Sequence, residues 1–181
     1  HLTLAFVIFI LLLWNYLKNK NHEDFIFYRK LPLYLPIFFI CCILLQITIG
    51  AFVSGLDAGQ IYQSWPLMNK SYFPDDSNLK DLFSLNCLNT PSLVQFIHRN
   101  VAYLIVLIFF IIAAIIFTNN DLAYMRKTIL LVFAALILQI ILGILTILSG
   151  AQIILASMHQ IGSIILVTTS LILLFRNSKI S

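Results

Sequence analysis

Two histidines stand out because ionisable side chains inside apolar runs are costly and rare. His98 lies in Val94-Gln95-Phe96-Ile97-His98-Arg99 and His159 in Leu155-Ala156-Ser157-Met158-His159-Gln160, each a few residues into a stretch long enough to cross a bilayer. If both stretches run the same way, the imidazoles reach the same depth from the same face, which is what two helices need to hold one metal centre between them. Two imidazoles with no third histidine, carboxylate or thiolate beside them make a poor zinc or di-iron set, since those sites want three or four protein ligands. Haem brings its own equatorial nitrogens and asks the protein only for axial ligands, and facing helices of a bundle are a usual place for it. A flat macrocycle also wants small neighbours. Ala156, Gly162 and Ser163 lie three or four residues from His159, and Ala102 lies four from His98. One such histidine alone would read as an interfacial or hydrogen-bonded residue, whereas the matched pair reads as metal ligands.

Other candidates keep two readings each. Arg99, at the water boundary, suits a haem propionate through charge-assisted hydrogen bonds or simply snorkels to the interface. His1 opens the first apolar run with the orientation and depth of His159, so it is either half of a second histidine pair or a plain terminal residue. His22, between Asn21 and Glu23 in a basic stretch, reads as solvated. Cys41 and Cys42 sit mid-span as small apolar residues, and Cys87 has no partner in its loop. Three cysteines give neither a disulfide framework nor zinc spacing.

The elements that position these residues follow from composition. Of 181 residues, 61% are hydrophobic and 10% charged, against about 25% charged in an ordinary soluble domain. A water-soluble enzyme is excluded, and a net charge of +4 is too slight in so apolar a chain to suggest nucleic acid. Five runs read as membrane spans of about 20 residues: Leu2 to Leu17, Leu33 to Val53, Leu93 to Phe117, Thr128 to Leu148 and Ile153 to Phe175. The expected fold is therefore an all-α polytopic membrane bundle of five transmembrane helices, the last four forming a haem-binding four-helix bundle. The chain opens on His1 with no charged leader, as though it began inside a longer protein.

Alternate loops must lie on opposite sides. Lys18, Lys20, Arg29, Lys30, Arg126, Lys127, Arg176 and Lys179 collect on one side, 8 of the 11 basic residues, which makes that side cytoplasmic by the positive-inside rule. The loop 54–92 is then outside. It carries Asp57, Asp75, Asp76 and Asp81 and is long enough for a structure of its own. An internal echo, Leu45-Gln46-x3-Gly50 in the second span and Leu138-Gln139-x3-Gly143 in the fourth, suggests a repeated unit with close helix contacts and interhelical hydrogen bonds; coincidence between two low-complexity helices is the other reading.

These residues resemble the haem A synthase family along nearly the whole chain. The resemblance is carried by Gln46-Ile-Thr-Ile-Gly50-Ala-Phe-Val-Ser-Gly55-Leu-Asp57-Ala-Gly59 with Tyr62-Gln-Ser-Trp65-Pro66-Leu67-Met68, by Val94-Gln95-Phe96-Ile-His98-Arg99 with Ala102-Tyr103, by Leu142-Gly143-Ile-Leu-Thr146 and by Leu155-Ala156-Ser-Met-His159-Gln160. The family has eight transmembrane helices in two similar halves. The resemblance implies that residues 1–17 are the last helix of the substrate half, 18–32 an inner linker, and 33–181 the cofactor half with its outer loop 54–92. It implies His98 and His159 as axial ligands of a haem b iron, Arg99 beside that haem, and His1 as an axial ligand of the substrate haem. The implied reaction oxidises the C8 methyl of haem O to the formyl group of haem A, with oxygen from water. The implied partners are the lipid bilayer, the haem O synthase that supplies the substrate and the cytochrome oxidase assembly machinery, with a homo-oligomer left open and no nucleic acid. The implied setting is a bacterial cytoplasmic or a mitochondrial inner membrane.

Departures accompany the resemblance. The partner histidine and the acidic residue of the substrate half lie outside this sequence, so this stretch alone is expected to be inactive. The loop has one cysteine where some members have a pair, and the turn Ser149-Gly150-Ala151-Gln152 lacks an expected proline. Two other readings stand beside the synthase: an electron-transfer cytochrome b-type subunit, and a transporter or assembly factor without haem.

Overall fold

Apolar runs without breakers become helices because a bilayer leaves the backbone no partner but itself. The structure, a computed structural model, describes residues 1–21 and 31–178; His22, Arg29, Lys30 and Lys179, and with them most of the expected linker, lie outside the described residues. Five helices, α1 (Leu2–Asn21), α2 (Tyr34–Gly55), α3 (Pro91–Thr118), α4 (Arg126–Leu148) and α5 (Ile153–Ser178), are each long and apolar enough to cross a membrane. Among the described residues there is no strand. The chain is an integral membrane protein.

Local chemistry sets the helix ends. Pro91 opens α3 in the first helical turn, where its missing N–H costs nothing. At the end of α4 the Gly150 N–H donates to the Ile147 carbonyl and the Ala151 N–H to Thr146 at 2.8 Å, a Schellman closure with Gly150 in the left-handed region at φ 67°. This closure makes the tight turn into α5 without a proline. Lys18 and Lys20 lie in the last turn of α1, which runs past the apolar stretch, where cations suit the helix C-terminus.

Helices α2 to α5 form a closed ring in chain order, each packed on the next and α5 back on α2, with the hairpins α2/α3 and α4/α5 the most closely packed pairs. Helix α1 leans on α2 and α5 from outside that ring; only 6% of its apolar window is buried, against 28–39% for the other four. Large core residues gather toward the inner end, where Phe39, Phe109, Ile112, Ile116, Met125 and Ile129 are almost fully enclosed. That end is tied by Arg176, which donates to the Tyr124 carbonyl and the Thr128 hydroxyl, and by Asn177, which donates to the Leu31 carbonyl. Residues such as Leu12, Leu107, Phe110, Leu131 and Ile141 turn outward, where lipid tails are as apolar as they are.

Candidate functional site

His98 on α3 and His159 on α5 come from diagonal helices of the ring. The Nδ1 of each ring is buried; that of His98 has no hydrogen-bond partner, and the His159 ring lies beside the Gln139 backbone. An orphaned buried imidazole nitrogen is unusual enough to call for an explanation. Among the described residues no three metal-ligating side chains come together, so the donor set fits a group that asks for axial ligands alone and not a protein-built zinc cage.

The two hairpins repeat one arrangement. In the first, Gln46 on α2 donates through Nε2 to the His98 carbonyl at 2.9 Å, and the His98 ring lies against Gly50. In the second, the Gln139 side chain on α4 presses on Gly162 of α5, and the His159 ring lies against Gly143. The echo in the sequence is thus a spatial repeat, with glutamine and glycine on each outward-running helix and histidine on its partner. Gly162, expected beside the macrocycle, makes room for Gln139 instead.

A structured outer loop covers the histidine end. A short 3₁₀ turn at Ala58–Gln60 follows α2, and two more at Leu79–Phe83 and Leu85–Asn89 precede α3; Asn78 and Asp81 form a reciprocal capping box. Tyr62 and Met68 are buried beneath the loop. The Tyr72 hydroxyl donates to Asn100 Oδ1 at 2.5 Å, and Tyr72 and Phe73 both pack edge-on against Phe96 of α3. Across the bundle, Gly59 faces Ala151 and Gln63 faces Gly150, so the same loop reaches the α4–α5 turn. Burial, and then the nearby Asp76, push the Tyr62 phenol above its ordinary value.

Arg99 is 6% exposed. Its guanidinium donates to the Tyr62 carbonyl at 3.2 Å and the Leu67 carbonyl at 3.3 Å, and Gln95 Nε2 donates to the same Tyr62 carbonyl at 3.1 Å. The residue expected at the water boundary is therefore covered by the loop and holds it down. Gln95 and Tyr62 were not singled out from sequence; the signal for Gln95 was a polar residue four positions from Arg99, on the same helix face.

His1 is exposed at the outer end of α1. Thr3 and Thr48 share a hydrogen bond at 3.1 Å, and with α1 running inward and α2 outward, His1 and Gly50 sit about 3 Å above that bond at the helical rise. His1 is thus level with the histidine pair but lies on the peripheral helix. Beside it, a cleft of about 410 Å³ opens between Leu2, Phe6 and Phe9 of α1 and Gln160, Ile161 and Ile164 of α5.

Residues 1–171 match the COX15-CtaA family model, described as cytochrome oxidase assembly protein. The chain is 42% identical over 182 residues to the haem A synthase of Pelagibacter ubique, a match covering 99% of this chain and 52% of that protein. It is 36% identical over 173 residues to the haem A synthase of Rickettsia felis and 35% over 176 residues to that of Rickettsia conorii, each match covering 93% of this chain and 50% of the relative. The chain spans about half the length of the curated relatives it matches. No solved structure matches it.

Proposed function

The chain belongs to the haem A synthase family of cytochrome oxidase assembly proteins, and from that premise we propose that it carries the cofactor-binding half of such a synthase. In this reading His98 and His159 are the axial ligands of a haem b, and the whole enzyme oxidises the C8 methyl of haem O to the formyl group of haem A for cytochrome oxidase. The single observation behind the reading is the pair of imidazoles on diagonal helices of one bundle, each with its Nδ1 buried.

When bound, haem b supplies a one-electron couple whose potential depends on axial ligands and burial. The chain's residues hold and shield that group. Gln46 fixes the α2–α3 register through the His98 carbonyl. The outer loop, held by Arg99 and Gln95 on the Tyr62 carbonyl, keeps bulk water from the histidine end. Arg99 is also the cation placed to meet a propionate, through the Nε that has no partner. His1, level with the pair on α1, is the proposed axial ligand of substrate haem O, with 1–17 belonging to the substrate half and 33–181 forming the cofactor half. The haem O synthase, the oxidase assembly machinery and the energy-transducing membrane that houses them are the corresponding partners and location.

The same ligation would serve an electron-transfer cytochrome b-type subunit, a second reading favoured by a histidine pair formed wholly within this chain. A reduced-minus-oxidised spectrum with pyridine haemochrome analysis on the detergent-purified chain tests the shared claim. A low-spin b-type signal at about one haem per chain is expected; a folded chain with no haem would refute it. Conversion of haem O to haem A by the full-length protein, abolished by His1→Ala with haem b retained, separates the synthase from the electron carrier.

A further inference from the structure

We propose that Gly50 and Gly143 are positioning residues for the two imidazoles: each is the backbone floor on which one ring rests, and together they set the planes in which the rings meet the haem. This rests on the haem b reading above. A Cβ built on Gly50 would lie 3.2 Å from Cε1 and 3.8 Å from Nδ1 of His98. One built on Gly143 would lie 3.1 Å from Cε1, 3.6 Å from Nδ1 and 3.7 Å from Nε2 of His159. The same edge of each ring thus approaches the same position of the facing helix at nearly the same distance, once in each hairpin.

Neither glycine is there for backbone freedom. Both are interior helical residues, and neither is among the glycines with positive φ. Glycine inside a helix is a poorer choice than alanine on propensity, so what each position gains is the space an absent methyl leaves. Gly55, at the end of the same helix as Gly50, has nothing within 4 Å of its virtual Cβ, so the ring contact belongs to the position and not to glycine in that helix generally. His98 Nδ1 has no partner, so no hydrogen bond fixes the rotation of that ring, and the His159 ring has only the Gln139 backbone beside it, although metal-bound imidazoles are usually oriented by a hydrogen bond. Packing on the glycine backbone takes that role here. A methyl at either site must push the ring by a few tenths of an ångström or turn it.

The test is Gly50→Ala and Gly143→Ala, with Gly55→Ala as control, read by electron paramagnetic resonance of the ferric protein, whose largest g value follows the mutual orientation of two axial imidazole planes. Each alanine variant at 50 or 143 is expected to bind haem with a shifted largest g value and a shifted midpoint potential, and Gly55→Ala to match the parent. Loss of haem from either variant with helical content and elution unchanged also supports the proposal, since the ring then cannot be seated. Parent-like g values and potential in both variants would overturn it. If one variant misfolds, the other decides, because the two contacts are independent. A folded parent without any low-spin signal would instead refute the haem reading itself.

Discussion

At the scale of the residue, the histidine pair and Arg99 carry different burdens. An unpartnered buried nitrogen is unfavourable by about 1–3 kcal/mol, so an atom such as His98 Nδ1 persists where its ring does something other than pack. Arg99 is anchored by carbonyls of a loop more than 30 residues away. A hydrogen bond from a charged donor contributes about 1.5–3 kcal/mol, so Arg99→Met should free the loop. Amide exchange across residues 58–75, read by mass spectrometry, is expected to speed up by about ten- to a hundred-fold, while the inner ends of α3 and α4 keep their protection. Unchanged exchange in the loop would show that Arg99 does not hold it.

At the scale of the element, turn chemistry and burial make separate demands. Gly150 adopts φ 67°, and a Cβ there would meet Gln63 Nε2 at 2.8 Å, so Gly150→Ala should cost about 1–2 kcal/mol and lower the thermal unfolding midpoint in detergent. An unchanged midpoint would count against the Schellman turn. The Tyr62 phenol is raised by burial, so folding favours its neutral form. The resulting stability is present in full below about pH 10, the ordinary tyrosine value, and is lost as pH climbs beyond it. Proteolysis of the loop should therefore rise above that pH in the parent and rise less in Tyr62→Phe. The five helices were legible because a run of about 20 apolar residues has few alternatives to a spanning helix, and the observed ends differ from the expected spans by four residues at most. The level of the two histidines was legible from their position in those runs. Gly50 and Gly143 were visible only as small residues in an echo, because which side chain a glycine faces is decided by hairpin register. The clamp on Tyr62 and Leu67 was invisible for a related reason: loop conformation depends on contacts made far along the chain.

At the scale of the whole molecule, the architecture is two similar hairpins closed into a ring, with a loop over one end, hydrogen-bonded basic residues tying the other, and a peripheral α1 against the α2–α5 seam. Arg126 and Arg176 share one end of the bundle with Lys18 and Lys20 of α1 and the loop lies at the other, an arrangement for which the positive-inside rule predicts the loop outside. With Cys87 replaced by serine, a membrane-impermeant maleimide should therefore label Ser71→Cys only from the outer face of sealed vesicles and Asn120→Cys only from the inner face. Labelling from the reverse faces would invert the topology and with it the outward position of the histidines. The proposed haem site stands on those two residues acting together. The decisive measurement is the reduced-minus-oxidised spectrum of His98→Ala and His159→Ala beside His22→Ala, each purified in detergent with the parent. The low-spin b-type signal should vanish from both of the first two and persist in the third, whereas a parent-like spectrum in His98→Ala and His159→Ala alike would contradict the site.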